Sequence, residues 1–155
     1  MQPYILQIQR TPPPRTRIDL IQQFETVTRL SDLMTAISVD TIRVMVESDN
    51  LMRPEAERES GEKIDQVIVK LRPVLKENLR RQVILMSFYT YRNISDDELK
   101  EYIRFYQTSL GQQEVEITSN AIRHFLAEWF GEVVYTVNEE IVKERAMKSS
   151  PALGI

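Results

Sequence analysis

The chain has 155 residues, of which 23 are acidic and 20 basic, so its formal net charge is −3. A charge this close to zero, with a sequence pI of about 5.3, argues against a nucleic-acid-binding surface. The absence of cysteine excludes disulfides and thiolate zinc sites. The length is typical of one domain, and 42% hydrophobic residues with only four glycines favour a helical core over a β-sheet.

The first fifteen residues predict an extended N-terminal tail, residues 1–15. Three consecutive prolines, Pro12 to Pro14, favour a polyproline-like segment. A proline-rich ligand with adjacent basic residues is one interpretation, and a linker or strap packed on the bundle is the one we favour.

The chain does not open with a basic segment and an apolar stretch, so we expect no signal peptide in it. No apolar run approaches the roughly 18 residues of a membrane-spanning helix.

Helical periodicity begins after this tail. Residues 16–147 are predicted to form one helical bundle, followed by a C-terminal tail over residues 148–155. Ser31 is predicted to cap or bend the chain between the first two helices. Pro54 is predicted to be the first residue of the next helix, and Pro73 is predicted to kink or restart it.

Residues 83–89 are apolar on nearly every side. This pattern predicts a central helix that is contacted from several directions, although β-branched and aromatic residues are also typical of a buried strand. No partner strand is evident elsewhere in the sequence, so we predict a helix. The predicted fold class is all-α, a single-domain helical bundle of about five to six helices with a long C-terminal helix.

A junction between two helices is the most distinctive stretch of the sequence. Ser95 and Glu98 have the spacing of a capping box, in which each side chain accepts from the other residue's backbone N–H. Thr108 is suited to cap the following helix. Gly111 then falls in the first turn of that helix, where glycine costs about 1 kcal/mol relative to alanine. We expect the preceding helix to cross close to this glycine.

The stretch around this junction resembles the signature of the bacterial "domain of unknown function twenty fifty-nine" family. Phe105, Tyr106 and Gly111 match that pattern in place. Thr108 stands where the family has serine, and Ser109 replaces the family's proline. The resemblance implies an all-α domain without known enzymatic activity, usually exported and so periplasmic or extracellular. A cytoplasmic protein is the alternative that the sequence leaves open.

The chain after the junction predicts one helix from about residue 109 to residue 146. Such a helix would be roughly 55 Å long, which exceeds the diameter of ~30 Å typical of a small domain. Either the helix breaks near Gly131, or its C-terminal end protrudes and packs on a second copy.

No residue pattern indicates catalysis, a metal or a cofactor. The single histidine, His124, lies four residues before Glu128 and lacks the further partners of a zinc site or a catalytic triad.

Aromatic residues in the second half of the chain could line a ligand pocket between helices, although such residues more often form solid core. The candidate pocket residues are Phe88, Tyr102, Tyr106, Phe125 and Trp129.

Two functional hypotheses are compatible with these features. The first is a non-enzymatic helical bundle that acts by protein–protein association, above all by self-association through the long last helix. The second is a small-molecule or lipid-binding bundle that uses the aromatic residues as its pocket. We therefore expect a homo-oligomer, no nucleic-acid partner and no integral membrane segment, and the sequence identifies no other partner protein.

Overall fold

The computed structural model describes residues 2–149 as six α-helices and one short 3-10 turn, with no strand in that range. The predicted all-α bundle is therefore confirmed. The helices are α1 (Gln2–Arg10), α2 (Arg15–Thr28), α3 (Leu30–Leu51), α4 (Gly61–Thr90), α5 (Asp96–Tyr106) and α6 (Ser109–Ser149), and the 3-10 turn is Glu55–Glu57.

The extended tail predicted for residues 1–15 is wrong over most of its length. Gln2–Arg10 form α1, and only the short segment with the three prolines lacks helical structure. The proline run ends the helix because the residue before a proline is disfavoured in the helical conformation. The Tyr4 hydroxyl ties α1 to α4 by donating to the Phe88 carbonyl at 3.2 Å.

Pro54 does not begin a long helix, and Pro73 does not interrupt one. Pro54 precedes only the 3-10 turn, and α4 begins after Ser60, whose hydroxyl accepts from the Lys63 N–H at 3.4 Å. Pro73 does not restart a helix, because α4 runs through it from Gly61 to Thr90. Residues 83–89 lie inside α4, which confirms the helix predicted there.

The long C-terminal helix is confirmed. α6 spans Ser109–Ser149, which is about 60 Å at 1.5 Å per residue. A break near Gly131, one of the two alternatives, does not occur, and a Cβ added at that glycine would meet nothing within 4 Å. Of the tail predicted for residues 148–155, the first two positions belong to α6, and residues 150–155 lie outside the described part of the chain.

One end of the molecule packs around a hydrophobic cluster from α2, α4 and α5. Ile21 and Leu99 are completely buried in it. Ile94 packs against the cluster just before α5, as expected of a residue that precedes a helix cap. The buried members are Leu20, Ile21, Phe24, Phe88, Leu99 and Ile103.

At the other end, α3 lies between α4 and α6. Val39 of α3 packs with Ile64 and Ile68 of α4. The opposite side of α3 meets α6, where Asp40 pairs with Arg123 at 2.9 Å. α4 and α6 make almost no contact with each other. These three helices therefore form an open layer with α3 in the middle.

This layer leaves much apolar surface uncovered. Among the described residues, 11 hydrophobic side chains are buried, whereas 21 large hydrophobic side chains are exposed. The accessible surface of the chain is 11421 Å², compared with about 8,100 Å² expected for a compact monomer of its mass. The composition supplies enough apolar residues for a large core, but the arrangement of the helices does not bury them.

Candidate association surface

The predicted caps on either side of α5 are confirmed. The Ser95 hydroxyl accepts from the Glu98 N–H at 3.2 Å, and the Glu98 carboxylate accepts from the Ser95 N–H at 2.9 Å. At the next junction the Thr108 hydroxyl accepts from the Gly111 N–H at 3.0 Å. These contacts satisfy donors that the first turn of a helix leaves without an intrahelical partner.

The expected close approach at Gly111 is also confirmed. A Cβ built on this glycine would lie 2.7 Å from the Tyr106 Cα and closer still to the Phe105 carbonyl oxygen. Both are backbone atoms, which cannot turn aside as a flexible side chain could. α6 therefore begins directly against the C-terminal end of α5, and this contact requires a residue without a side chain.

Gln112, the next residue, has a role that the sequence analysis missed. Its Nε2 donates to the Val27 carbonyl at 2.9 Å and also to the Tyr106 carbonyl. Its Oε1 accepts from the Arg29 guanidinium at 3.0 Å. One amide group thus joins the α2–α3 junction to the α5–α6 junction. No local pattern marks such a glutamine, because the Val27 and Arg29 partners lie more than 80 positions earlier in the chain.

The α2–α3 junction turns at Arg29, two residues before the predicted cap or bend at Ser31. Arg29 has φ 52°, the only positive φ of a non-glycine residue in the described chain. Its N–H donates to the Glu25 carbonyl at 2.9 Å, which closes the last turn of α2. A left-handed conformation is unfavourable for arginine, so the surrounding contacts hold this turn in place.

A buried carboxylate lies beneath the same junction. Glu25 is 4% exposed, and its Oε2 accepts from the Arg80 Nε of α4 at 3.2 Å. Its Oε1 accepts from the Ser31 hydroxyl. A buried carboxylate is costly unless it is paired and hydrogen-bonded, and both oxygens here have such partners. This cluster fixes α4 against the turn between α2 and α3.

The structure places two of the five candidate pocket residues in or beside solid core. Phe88 is 7% exposed and belongs to the hydrophobic cluster. Tyr106 packs against that cluster, with its ring 6.0 Å from the Phe24 ring in an edge-on arrangement. Burial raises the pKa of Tyr106, and the nearby Glu114 carboxylate raises it further.

The other three candidates are exposed. Tyr102 lies on α5, whereas Phe125 and Trp129 lie on α6. Trp129 is about 27 Å along α6 from Gly111, which adjoins Tyr106. The five side chains therefore do not lie together around one pocket, which was the less favoured of the two interpretations of these aromatic residues.

Phe125 and Trp129 belong instead to an apolar row on the exposed side of α6. Spacings of three and four residues place these side chains on one face of the helix. Leu30 of α3 lines the same shallow hollow as Ile122, so the apolar surface continues onto α3. The row, called the α6 stripe below, consists of Ile122, Phe125, Trp129, Val133 and Val137, which are 38–65% exposed.

α6 is acidic over residues 114–140, the range that contains the α6 stripe. Arg123 is its only lysine or arginine between residues 114 and 140. His124 and Glu128 approach to 3.5 Å on the surface, and no third histidine, aspartate or glutamate among the described residues is placed to hold a metal ion with them. The carboxylates of this stretch are Glu114, Glu116, Glu128, Glu132, Glu139 and Glu140.

Within residues 2–149, no three histidine, aspartate or glutamate side chains are grouped so that they could hold a metal ion. No helix in the same range combines the length and the apolar character needed to cross a bilayer. Comparisons of the chain with protein-family models, with curated proteins and with solved structures find no match. The geometry of the α6 stripe is therefore the basis for a functional assignment.

Proposed function

We propose that this protein is a non-enzymatic helical module that acts by protein–protein association, and that it associates with itself through the α6 stripe. The observation that supports the proposal is the row of apolar side chains, centred on Trp129, along an exposed face of α6. Continuous apolar surface of this kind marks interaction sites. Tryptophan is also among the residues that contribute most to binding energy at interfaces.

The α6 stripe supplies the exposed apolar centre that a stable interface needs, because its five side chains are 38–65% exposed. A specific interface of standard size buries about 1,600 Å² in total, or about 800 Å² per partner. Two aromatic and three aliphatic side chains at the centre of the patch would supply its apolar core.

Sedimentation velocity over about 1–100 μM tests the proposal, since the micromolar range covers weak homodimers. The wild-type chain is expected to shift from monomer to dimer as concentration rises. Trp129 is the only tryptophan, so its fluorescence emission should shift to shorter wavelength over the same range as the indole leaves water. A chain that stays monomeric throughout would overturn the proposal.

A matched pair of variants locates the surface. Phe125→Gln/Trp129→Gln removes the aromatic part of the α6 stripe and is expected to leave a monomer. Tyr102→Gln, which changes an aromatic residue of α5 that is as exposed as Trp129, is expected to associate like the wild type. If Tyr102→Gln weakened association as much as the double variant, the interface would not be the α6 stripe.

We also propose, from the resemblance at the α5–α6 junction, that the protein works outside the cytoplasm. Immunodetection in fractionated cells of its source would test this, and recovery from the cytoplasmic fraction alone would contradict it.

A further inference from the structure

We infer that the α6 stripe of one copy docks against the N-terminal half of α4 in a second copy. The inference rests on the proposed self-association and adds the surface that receives the stripe. Both surfaces are present on every copy, so a two-fold dimer would form the contact twice.

The receiving surface contains an apolar hollow between the end of α3 and the start of α4. Its volume is about 250 Å³, and it is lined by Val46, Ile64 and Val67 together with four polar residues, Asn50, Arg53, Glu59 and Lys63. Small-molecule sites are typically 300–1,000 Å³, so this hollow suits one large side chain better than a separate ligand. An aromatic residue of the α6 stripe has the size and the apolar character to fill it.

Exposed valines continue this surface along α4. Val67 and Val74 are 58% and 57% exposed, and a separation of two helical turns places them on the same side of α4. Lys70 lies between them in the sequence, and its ammonium group has no hydrogen-bond or ion-pair partner in the described structure. The surface thus presents apolar contacts beside an unpaired positive charge.

The two surfaces have opposite charge. In the N-terminal half of α4, residues 61–75, three basic residues outnumber two acidic ones, whereas residues 114–140 of α6 carry six acidic residues and one basic residue. Glu132 directly precedes Val133, a member of the α6 stripe, in the sequence. The Glu132 carboxylate has no partner in the described structure. It is therefore the counterpart of Lys70. Complementary charge of this kind favours one pairing of surfaces over others.

The same charges disfavour a dimer in which α6 pairs with α6 of the second copy. That arrangement would bring Glu128 and Glu132 of one copy toward the same carboxylates of the other. Like charges placed together at an interface oppose binding. A basic surface with exposed apolar residues, as on α4, avoids this repulsion.

Complementary charge reversals test the inference on the full chain. Glu128→Lys/Glu132→Lys reverses the acidic side of the contact, and Lys63→Glu/Lys70→Glu reverses the basic side. Each variant alone is expected to dimerise at least tenfold more weakly than the wild type. An equimolar mixture is expected to recover wild-type affinity, because both contacts of the mixed dimer again join opposite charges, and native mass spectrometry should show the heterodimer.

Two further variants distinguish an effect at the hollow on α4 from a general effect of changing surface charge. Val67→Trp fills the hollow without changing charge and should weaken association at an unchanged melting temperature. Lys100→Glu reverses an exposed charge on α5 and should have no effect on association. Wild-type association that is unaffected by Lys63→Glu/Lys70→Glu and by Val67→Trp would overturn the docking inference alone. A wild-type chain that never associates would overturn the proposed function itself.

Discussion

The side-chain amide of Gln112 accepts a hydrogen bond from the guanidinium group of Arg29 at 3.0 Å, across 83 positions of the sequence. The two residues occupy different helix junctions. Arg29 is the turn between α2 and α3, and Gln112 lies in the first turn of α6. The contact therefore sets the start of α3 beside the start of α6. From there the two helices run parallel, since Asn138 of α6 reaches Ser48 near the end of α3 at 2.6 Å.

Gln112→Glu is expected to lower the free energy of unfolding by about 2 kcal/mol, at roughly 1 kcal/mol for each of two hydrogen bonds. The carboxylate can still accept from Arg29 but cannot donate to the Val27 and Tyr106 carbonyls. Urea denaturation followed by circular dichroism would measure the change. Gln113→Glu, at the exposed neighbouring position, is the control and should change stability by less than about 0.5 kcal/mol. Equal effects of the two substitutions would contradict the role assigned to Gln112.

Gly111→Ala and Gly131→Ala are expected to have opposite effects. At Gly111 the new methyl group would overlap the Tyr106 Cα and the Phe105 carbonyl, so α5 and α6 must separate. A loss of about 1–3 kcal/mol is expected from such overpacking, and Gly111→Leu should be worse. At Gly131 the methyl group meets open space, so alanine should stabilise α6 by up to about 1 kcal/mol. Thermal unfolding of the two variants side by side is the measurement, and a stabilised Gly111→Ala would show that the junction can relax.

Two substitutions at Arg29 separate backbone conformation from side-chain contact. Arg29→Gly and Arg29→Val both lose the contact with Gln112, but only glycine adopts a φ of 52° without strain. Valine is expected to be less stable than glycine by about 1–2 kcal/mol, because a β-branched residue is strongly disfavoured at positive φ. Chemical denaturation of both variants would measure this gap. Indistinguishable variants would mean that the turn changes conformation when Arg29 is replaced.

The capping box of α5 is expected to weaken in acid. Hydrogen bonds from the Ser95 hydroxyl, and then from the Ser95 backbone, lower the pKa of Glu98 below its ordinary value. Because the folded pKa is the lower one, Glu98 stabilises the folded chain above its unfolded pKa, and this contribution is lost as pH falls through the folded pKa. The stability difference between the wild type and Glu98→Gln should therefore shrink between pH 7 and pH 3. A difference that stays constant over this range, or an NMR titration of Glu98 with an ordinary pKa, would be the contrary result.

Features that depend on neighbouring residues could be predicted from the sequence. The capping box at Ser95, the cap at Thr108 and the crowding at Gly111 involve backbone within a few positions of each residue. Residue type and spacing are sufficient for such contacts, because the chain itself brings the atoms together. Helical periodicity similarly identified most of the helices, since a repeat near 3.6 residues is a local property.

Ion pairs between helices could not be predicted from spacing in the sequence. Spacing alone suggests that Asp40 pairs with Arg43, three residues along α3. In the structure Asp40 pairs with Arg123 of α6, and Arg43 pairs with Asp65 of α4 at 2.7 Å. Gln112 and Glu25 are similar cases, because each has partners from distant helices. Residues of this kind carry no sequence signal that distinguishes them from ordinary surface polar residues.

The sequence by itself determined that the chain is helical, where α5 and α6 begin, and that α6 has an apolar row many turns long. Only the tertiary structure decided that Phe88 is core while Phe125 and Trp129 are exposed. The physical reason is that periodicity shows which face of a helix is apolar, whereas burial depends on whether another helix covers that face. Here α3 is placed between α4 and α6, the outer two helices scarcely touch, and the apolar face of α6 is left open.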